Sequence, residues 1–459
     1  MRILTRASLA ALAATLLSTA AVRADQTFDA TLAGHAVLPA NTMVAAPADA
    51  PADLKVSGKY TAADGRRVDA VGSLPGVTSL SNKEAPRATG LATPFDGQPV
   101  QGFSGIKAIG DGSYWVITDN GFGAKANSPD AMLAFRRVRP DFEAGTVAIE
   151  ETVFLSDPDK VVPFHVVTES TDQRYLTGAD FDVESIQPVD GGFWIGDEFG
   201  PYLLSVDASG KVQAVFETAL AGQPVRSPDH FAVQVPATPD GKLAFNARRS
   251  RGYEGMAASA DGKRLYPLLE GPLWLADAGA WETVDGKEVL TILEFDTEKG
   301  DWTGRFWKYP LELAGNNIGD FNMIDDTTAL IIERDNNEGH PARACAGDDK
   351  GPDCFAKPAA FKRIYKIEMT DANAGGLVRK IGHVDLMKIK DPDGKARQGG
   401  MEGEFSFPFQ TIENVDILDD KTIIVANDNN LPFSAGRDTQ KADDNEFVLL
   451  VVPELLAAK

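Results

Sequence analysis

Basic residues are scarce in this sequence. Against 67 aspartates and glutamates there are 45 lysines and arginines, a formal charge of −22. A chain this acidic repels nucleic acid and anionic membranes, so neither is expected as a partner, and it suits cation binding. Cysteine is scarcer still, with Cys345 and Cys354 alone. No CxxC or HxxxH spacing accompanies them, so a zinc site is not expected. After the first two dozen residues no apolar run is long enough to span a bilayer. A G-x-S-x-G elbow, a P-loop and a dinucleotide fingerprint are all missing, which removes the usual sequence marks of several enzyme classes. "SGIK", Ser104 to Lys107, fits S-x-x-K, but a repeat described below already accounts for it.

The first two dozen residues do hold a signal. Arg2 and Arg6 precede the apolar stretch Ala7 to Ala21, and Val22-Arg23-Ala24 is a small-x-small cleavage site. Residues 1–24 therefore read as a secretory signal peptide cut before Asp25, and the mature protein is expected in the periplasm or outside the cell. In such an oxidising compartment the cysteine pair in "ACAGDDKGPDCF" is expected to form one structural disulfide.

The body of the chain repeats one unit five times. "FSGIKAIGDGSYWVITDNGFG", "DVESIQPVDGGFWIGDEFGP", "YEGMAASADGKRLYPLLEGP", "DFNMIDDTTALIIERDNNEG" and "IENVDILDDKTIIVANDNNLP" share one plan. A polar residue opens an apolar strand, a tight turn follows, and a second apolar strand ends in acids, amides or arginine. Two further strand-like runs follow most copies. Repeated four-strand units of this kind describe an all-β propeller, a single domain over residues 25–459. The last copy lacks a strand, which "FDATLAGHAVL" near Phe28 can supply to close the ring. Lys55 to Gln101 can build one more, degenerate blade. The expected count is six, with five or seven left open.

Antiparallel pairing brings the start of each first strand beside the end of its partner, at one mouth of the channel. Aligning the copies on Ser104, Glu184, Glu254, Asn322 and Asn414 gathers two carboxylates and two amides around the axis. Oxygen donors without histidine or thiolate suit a hard ion such as Ca²⁺. Glu184, Glu254, Asn322 and Asn414, with Asp428, are the candidate metal ligands; hydrogen bonding to exposed backbone is the plainer role for them. Asp197 and Glu198 are candidate general acid or base, or turn caps. Arg334, in "IIERDNN", is the cation best placed to hold an anionic substrate. Arg251, in "NARRSRGYEG" with Arg248 and Arg249, and Asp119 are further candidates for substrate contact. His165 and His340 lie in loops and read as solvated bystanders.

The second, third and fourth repeats, with "KRIYKI", resemble the phytase-like propeller family described as "esterase-like activity of phytase", from about Gly102 to Pro453. The resemblance implies hydrolysis of esters or phosphoesters. By motif it points to Glu184, Asp197, Glu198 and Glu254. The ring is also similar in plan to calcium-bearing lactonases and paraoxonase-type esterases. The expected function is a metal-dependent hydrolase acting at the channel mouth. The alternative is a non-catalytic binding propeller with a structural calcium ion.

Overall fold

The computed structural model describes residues 26–78, 86–347 and 351–459. The expected leader, 1–24, and the cleavage point before Asp25 lie outside them.

The building unit is clearest in the hairpin of Val183–Val189 and Gly192–Asp197. Val189 pairs with Gly192, leaving Asp190 and Gly191 as a two-residue turn. Their φ values are 52° and 80°. A turn with both central residues at positive φ matches the right-handed twist of the strands it joins, and Asp-Gly is the pair that adopts it most readily. Tyr202–Asp207 and Val212–Glu217 extend the hairpin into a four-stranded antiparallel blade.

Five such blades form among the described residues. Blade I runs from Phe103–Ala108 to Thr146–Phe154, and blade II is the one just described. Blade III runs from Tyr253–Ala258 to Asp301–Pro310, and blade IV from Asn317–Met323 to Arg379–Asp385. Blade V supplies Ile412–Ile417, Thr422–Asn427 and Asn445–Val451. Its fourth strand is Thr31–Leu38, antiparallel to Asn445–Val451, as expected of the N-terminal donor. Just before it, Gln26–Phe28 adds in parallel to the outer strand of blade IV. The N-terminal segment thus clasps blades IV and V together.

The five first strands pack side by side in cyclic order, and blade V returns to blade I. Each blade interface carries its own apolar cluster. Phe193 and Ile195 face blade I with Phe135 and Ile117, whereas Trp194, between them, faces blade III with Tyr253 and Phe295. That alternation is the two-residue period of a strand buried on both faces. The remaining interfaces are filled around Trp307 and Tyr365, around Ile364 and Val448, and around Phe103 and Phe447.

Among the described residues the count is five, one of the two alternatives left open beside six. The described residues between 55 and 101 form no four-stranded blade. They make short ladders, Val56–Ser57 with Phe95–Asp96 and Leu74–Val77 with Ala88–Thr93. Pro75 and Pro94 interrupt these runs, and proline cannot donate to a continuing ladder. The segment instead packs over one face of the ring, where Phe95 meets Phe122 and Leu431.

Cys345 and Cys354 are joined by a disulfide in the excursion between the second and third strands of blade IV. No helix of the described residues is long and apolar enough to cross a membrane.

Candidate functional site

Every first strand carries a β-bulge near the same end. In blade II, Val183 pairs with Asp197 and Ser185 with Gly196, so Glu184 is the extra residue. Glu254 is the extra residue between Tyr253 and Gly255, and Glu413 between Ile412 and Asn414. Blades I and IV bulge at the same level, between Phe103 and Ile106 and between Ile318 and Phe321. A bulge re-aims the side chain of its inserted residue. Ser104, Glu184, Glu254, Gly319 and Glu413 therefore occupy one register around the axis.

The second strands supply another set. The residue after each partner of the bulge is Asp119, Glu198, Glu270, Arg334 and Asp428 in turn. In three blades the backbone repeats the same bond: Asp119 N–H donates to the Gly102 carbonyl, Glu198 N–H to Asp182 and Glu270 N–H to Gly252, at 2.9, 2.8 and 2.8 Å. Blade IV departs from the pattern at both levels, with Gly319 in place of an acid and Arg334 in place of another.

All of these residues except Ser104 and Gly319 line a cavity of about 360 Å³ at the channel mouth. Eight carboxylates reach it: Asp119, Asp182, Glu184, Glu198, Glu254, Glu270, Glu413 and Asp428. Two arginines accompany them, Arg251 and Arg334. Oxygens of Asp182, Glu184 and Glu198 lie within 4.8 Å of one another, as do oxygens of Glu198, Glu254 and Glu270. Glu198 belongs to both groups.

Charge compensation is uneven. Arg251 pairs with Glu270, and Arg334 pairs with Glu413 while standing 3.7 Å from Glu254. Ser104 Oγ donates to the other Glu413 oxygen at 3.2 Å. Asp182 accepts from the Asn120 side chain at 2.8 Å. Among the described residues no basic side chain pairs with Asp119, Asp182, Glu184 or Glu198. Burial, reinforced by neighbouring acids, pushes Asp119, Glu184, Glu198, Glu254 and Asp428 well above the usual carboxylate range. Asp182 and Glu413 are raised as well, again first by burial. Glu198 Oε1 and Glu254 Oε1 are buried without a hydrogen-bond partner. Closely spaced acids with orphaned oxygens fit a hard divalent cation.

The structure places the sequence candidates unequally. Glu184, Glu254, Glu198, Asp119, Asp428, Arg251 and Arg334 all line the cavity. Asn414 does not, since it sits one residue past the bulge, and its amide donates to the carbonyls of Phe103 and Ala426. Asn322 lies three residues beyond Gly319, deeper in the channel, where it bonds Val415 O at 2.8 Å and accepts from Gln187 at 2.9 Å. Their alignment with Glu184 is corrected to Glu413 and Gly319. Gly319 itself leaves no room for a side chain, because a Cβ there would meet Ile412 O at 2.3 Å.

Asp197 is fully buried off the cavity, and its oxygens accept from Asp182 N at 2.8 Å and Gly200 N at 2.7 Å. It fastens the turn that carries Glu198. Arg248 pairs with Glu288 and Arg249 with Asp229, both outside the cavity. His165 is solvated, and His340 Nδ1 accepts from Ala342 N in a short 3₁₀ turn. Lys107 pairs with Asp416, away from Ser104. Glu270 follows from the sequence reading as the residue that ends the partner strand of Glu254, whereas Glu413 and Asp182 escaped it. An apolar residue followed by Glu, as in Val183-Glu184, Tyr253-Glu254 and Ile412-Glu413, would have exposed the first of them.

Comparison with known proteins agrees with this reading at the family level. A protein of Arthroderma benhamiae described as an uncharacterized secreted protein is 28% identical over 232 residues, which is 43% of this chain. The chain spans only 42% of that relative's length. Among solved structures, a luciferin-regenerating enzyme shows 10% identity and a TM-score of 0.31, covering 78% of this chain and 94% of its own. A virginiamycin B lyase from Staphylococcus aureus shows 10% identity and a TM-score of 0.27, covering 77% and 95%. Likeness at that level carries neither substrate nor mechanism. The family model for the phytase-like group, "Esterase-like activity of phytase", matches residues 98–431, and the chain belongs to that family.

Proposed function

We propose that this protein is an exported hydrolase that cleaves phosphoesters or small esters at the channel mouth, using a divalent cation, Ca²⁺ in the first instance. The supporting observation is the pair of buried carboxylate groups that share Glu198 in a cavity large enough for a small substrate. Oxygen donors alone favour Ca²⁺, Mg²⁺ or Mn²⁺ over zinc. Bound there, such an ion supplies Lewis acidity toward an ester or phosphoryl oxygen.

The chain's own residues divide the remaining work. Arg251 is only partly buried on the cavity wall and presents its guanidinium, backed by Glu270, to an anionic substrate. Arg334 is buried and held by Glu413 and Asn336, so its part is to orient those groups and to oppose the upward push of burial on Glu254 and Glu413. Asp119 and Asp428 also line the cavity, outside both carboxylate groups. Each gives one oxygen to a backbone N–H, from Gly121 at 2.9 Å and from Asn430 at 2.7 Å. They are the acids placed to accept a proton from water during attack.

The test is a panel of phosphomonoesters, phosphodiesters, lactones and aryl esters assayed with Ca²⁺ and with chelator. Turnover of one class, abolished by chelation and by Glu184→Gln, is expected. Cation binding without turnover of any class would favour the non-catalytic binding propeller instead.

A further inference from the structure

The two carboxylate groups are joined rather than separate. Asp182, Glu184 and Glu198 come from blade II, and Glu254 and Glu270 come from blade III, so Glu198 stands at the blade boundary. Its Oε1 is buried without a hydrogen-bond partner, and Glu254 Oε1 in the second group also accepts no hydrogen bond, its nearest cation being Arg334 at 3.7 Å. Glu198 is 5% exposed and Glu254 is 4% exposed, so water meets little of this demand.

We infer that the cavity holds two divalent cations, one at Asp182, Glu184 and Glu198 and one at Glu198, Glu254 and Glu270, with the Glu198 carboxylate shared between them. This rests on the cation-binding reading above and adds its stoichiometry. The two positions are unequal. The first contains no direct ion pair and feels Arg251 only through the shared Glu198, whereas in the second Glu270 pairs with Arg251 and Glu254 stands 3.7 Å from Arg334, whose charges compete with an entering cation. The first ion therefore binds more tightly, and the second follows at higher concentration.

Mn²⁺ titration of the intact protein, followed by electron paramagnetic resonance, tests this. At one equivalent an isolated six-line spectrum is expected. At saturation two Mn²⁺ per chain should give the broadened spectrum of a spin-coupled pair. Glu198→Gln should remove the coupling, and Glu270→Gln should remove the weaker ion while leaving the six-line signal. Saturation at one Mn²⁺, or two ions without coupling, would overturn the shared site while leaving a cation-dependent hydrolase standing. No Mn²⁺ bound at millimolar concentration would sink both readings.

Discussion

Gly252 lies against the backbone of Glu198: a Cβ on Gly252 would come within 2.6 Å of the Glu198 Cα and of its carbonyl oxygen. The contact joins the start of blade III to the turn of blade II that carries the shared carboxylate. Two backbones meet here, so no flexible side chain can move aside. Gly252→Ala should cost about 1–3 kcal/mol through overpacking. It should also displace Glu198 and weaken the stabilisation by Ca²⁺ more than an equally destabilising change in an outer strand. Calorimetry of the variant with and without Ca²⁺ measures both effects, and an unchanged Ca²⁺ response would refute the positional role.

Arg334 and Glu413 form a buried ion pair between blades IV and V. Breaking such a pair from one side leaves an uncompensated charge and costs about 3–5 kcal/mol. Glu254, 3.7 Å away, offsets part of that loss for Glu413→Gln. Replacing both partners, as Glu413→Gln with Arg334→Met, should recover most of the stability. A double variant less stable than either single one would contradict this account.

How the cation response changes with pH follows from the raised carboxylates. Burial pushes Asp197 and Asp320 up to about 7, and the cavity acids are raised as well. Between the ordinary carboxylate range and about pH 7, the folded chain keeps protons that the unfolded chain has released. Stability without a cation should therefore fall as pH rises through that window. Glu446 is buried but held down at about 2 by Arg437 and His35, so it adds no slope there. A cation must displace the cavity protons to bind, and its stabilising effect should grow from pH 5 to pH 8. Melting curves across that range, in chelator and in Ca²⁺, should diverge with rising pH. A constant gap would mean that the cavity acids do not take part.

Much of the architecture was legible in the sequence because its signals are local. Asp190-Gly191 between two apolar runs announces a hairpin, and five copies announce a ring. Glu184, Glu198 and Glu254 were legible for the same reason, since each stands at a hairpin end. The register was harder to read. A bulge adds one residue, and a one-residue shift turns a strand's side chains to the opposite face, so Asn414 stood in for its neighbour Glu413. In blade IV the position belongs to Gly319, which offers no functional group to align, and Asn322 was taken for it. For Asp197 the sequence left acid, base and turn cap open, and its bonds from Asp182 N and Gly200 N match the cap. The strand-like runs between Lys55 and Gln101 looked like a blade because composition does not show whether a ring has already closed.

Thermal unfolding of the protein in chelator and in millimolar Ca²⁺ tests the central claim, that the buried carboxylates around Glu198 hold a divalent cation. An ion at a hundredfold excess over its dissociation constant adds about 2.7 kcal/mol to a folded state that alone binds it. For a chain of this size that amounts to a rise of about 3 °C in Tm. The account predicts such a rise with Ca²⁺, a smaller one with Zn²⁺, and its loss in Glu184→Gln and Glu198→Gln. Identical melting of the wild type in chelator and in Ca²⁺ would contradict it and leave the acids as protonated, hydrogen-bonded scaffolding.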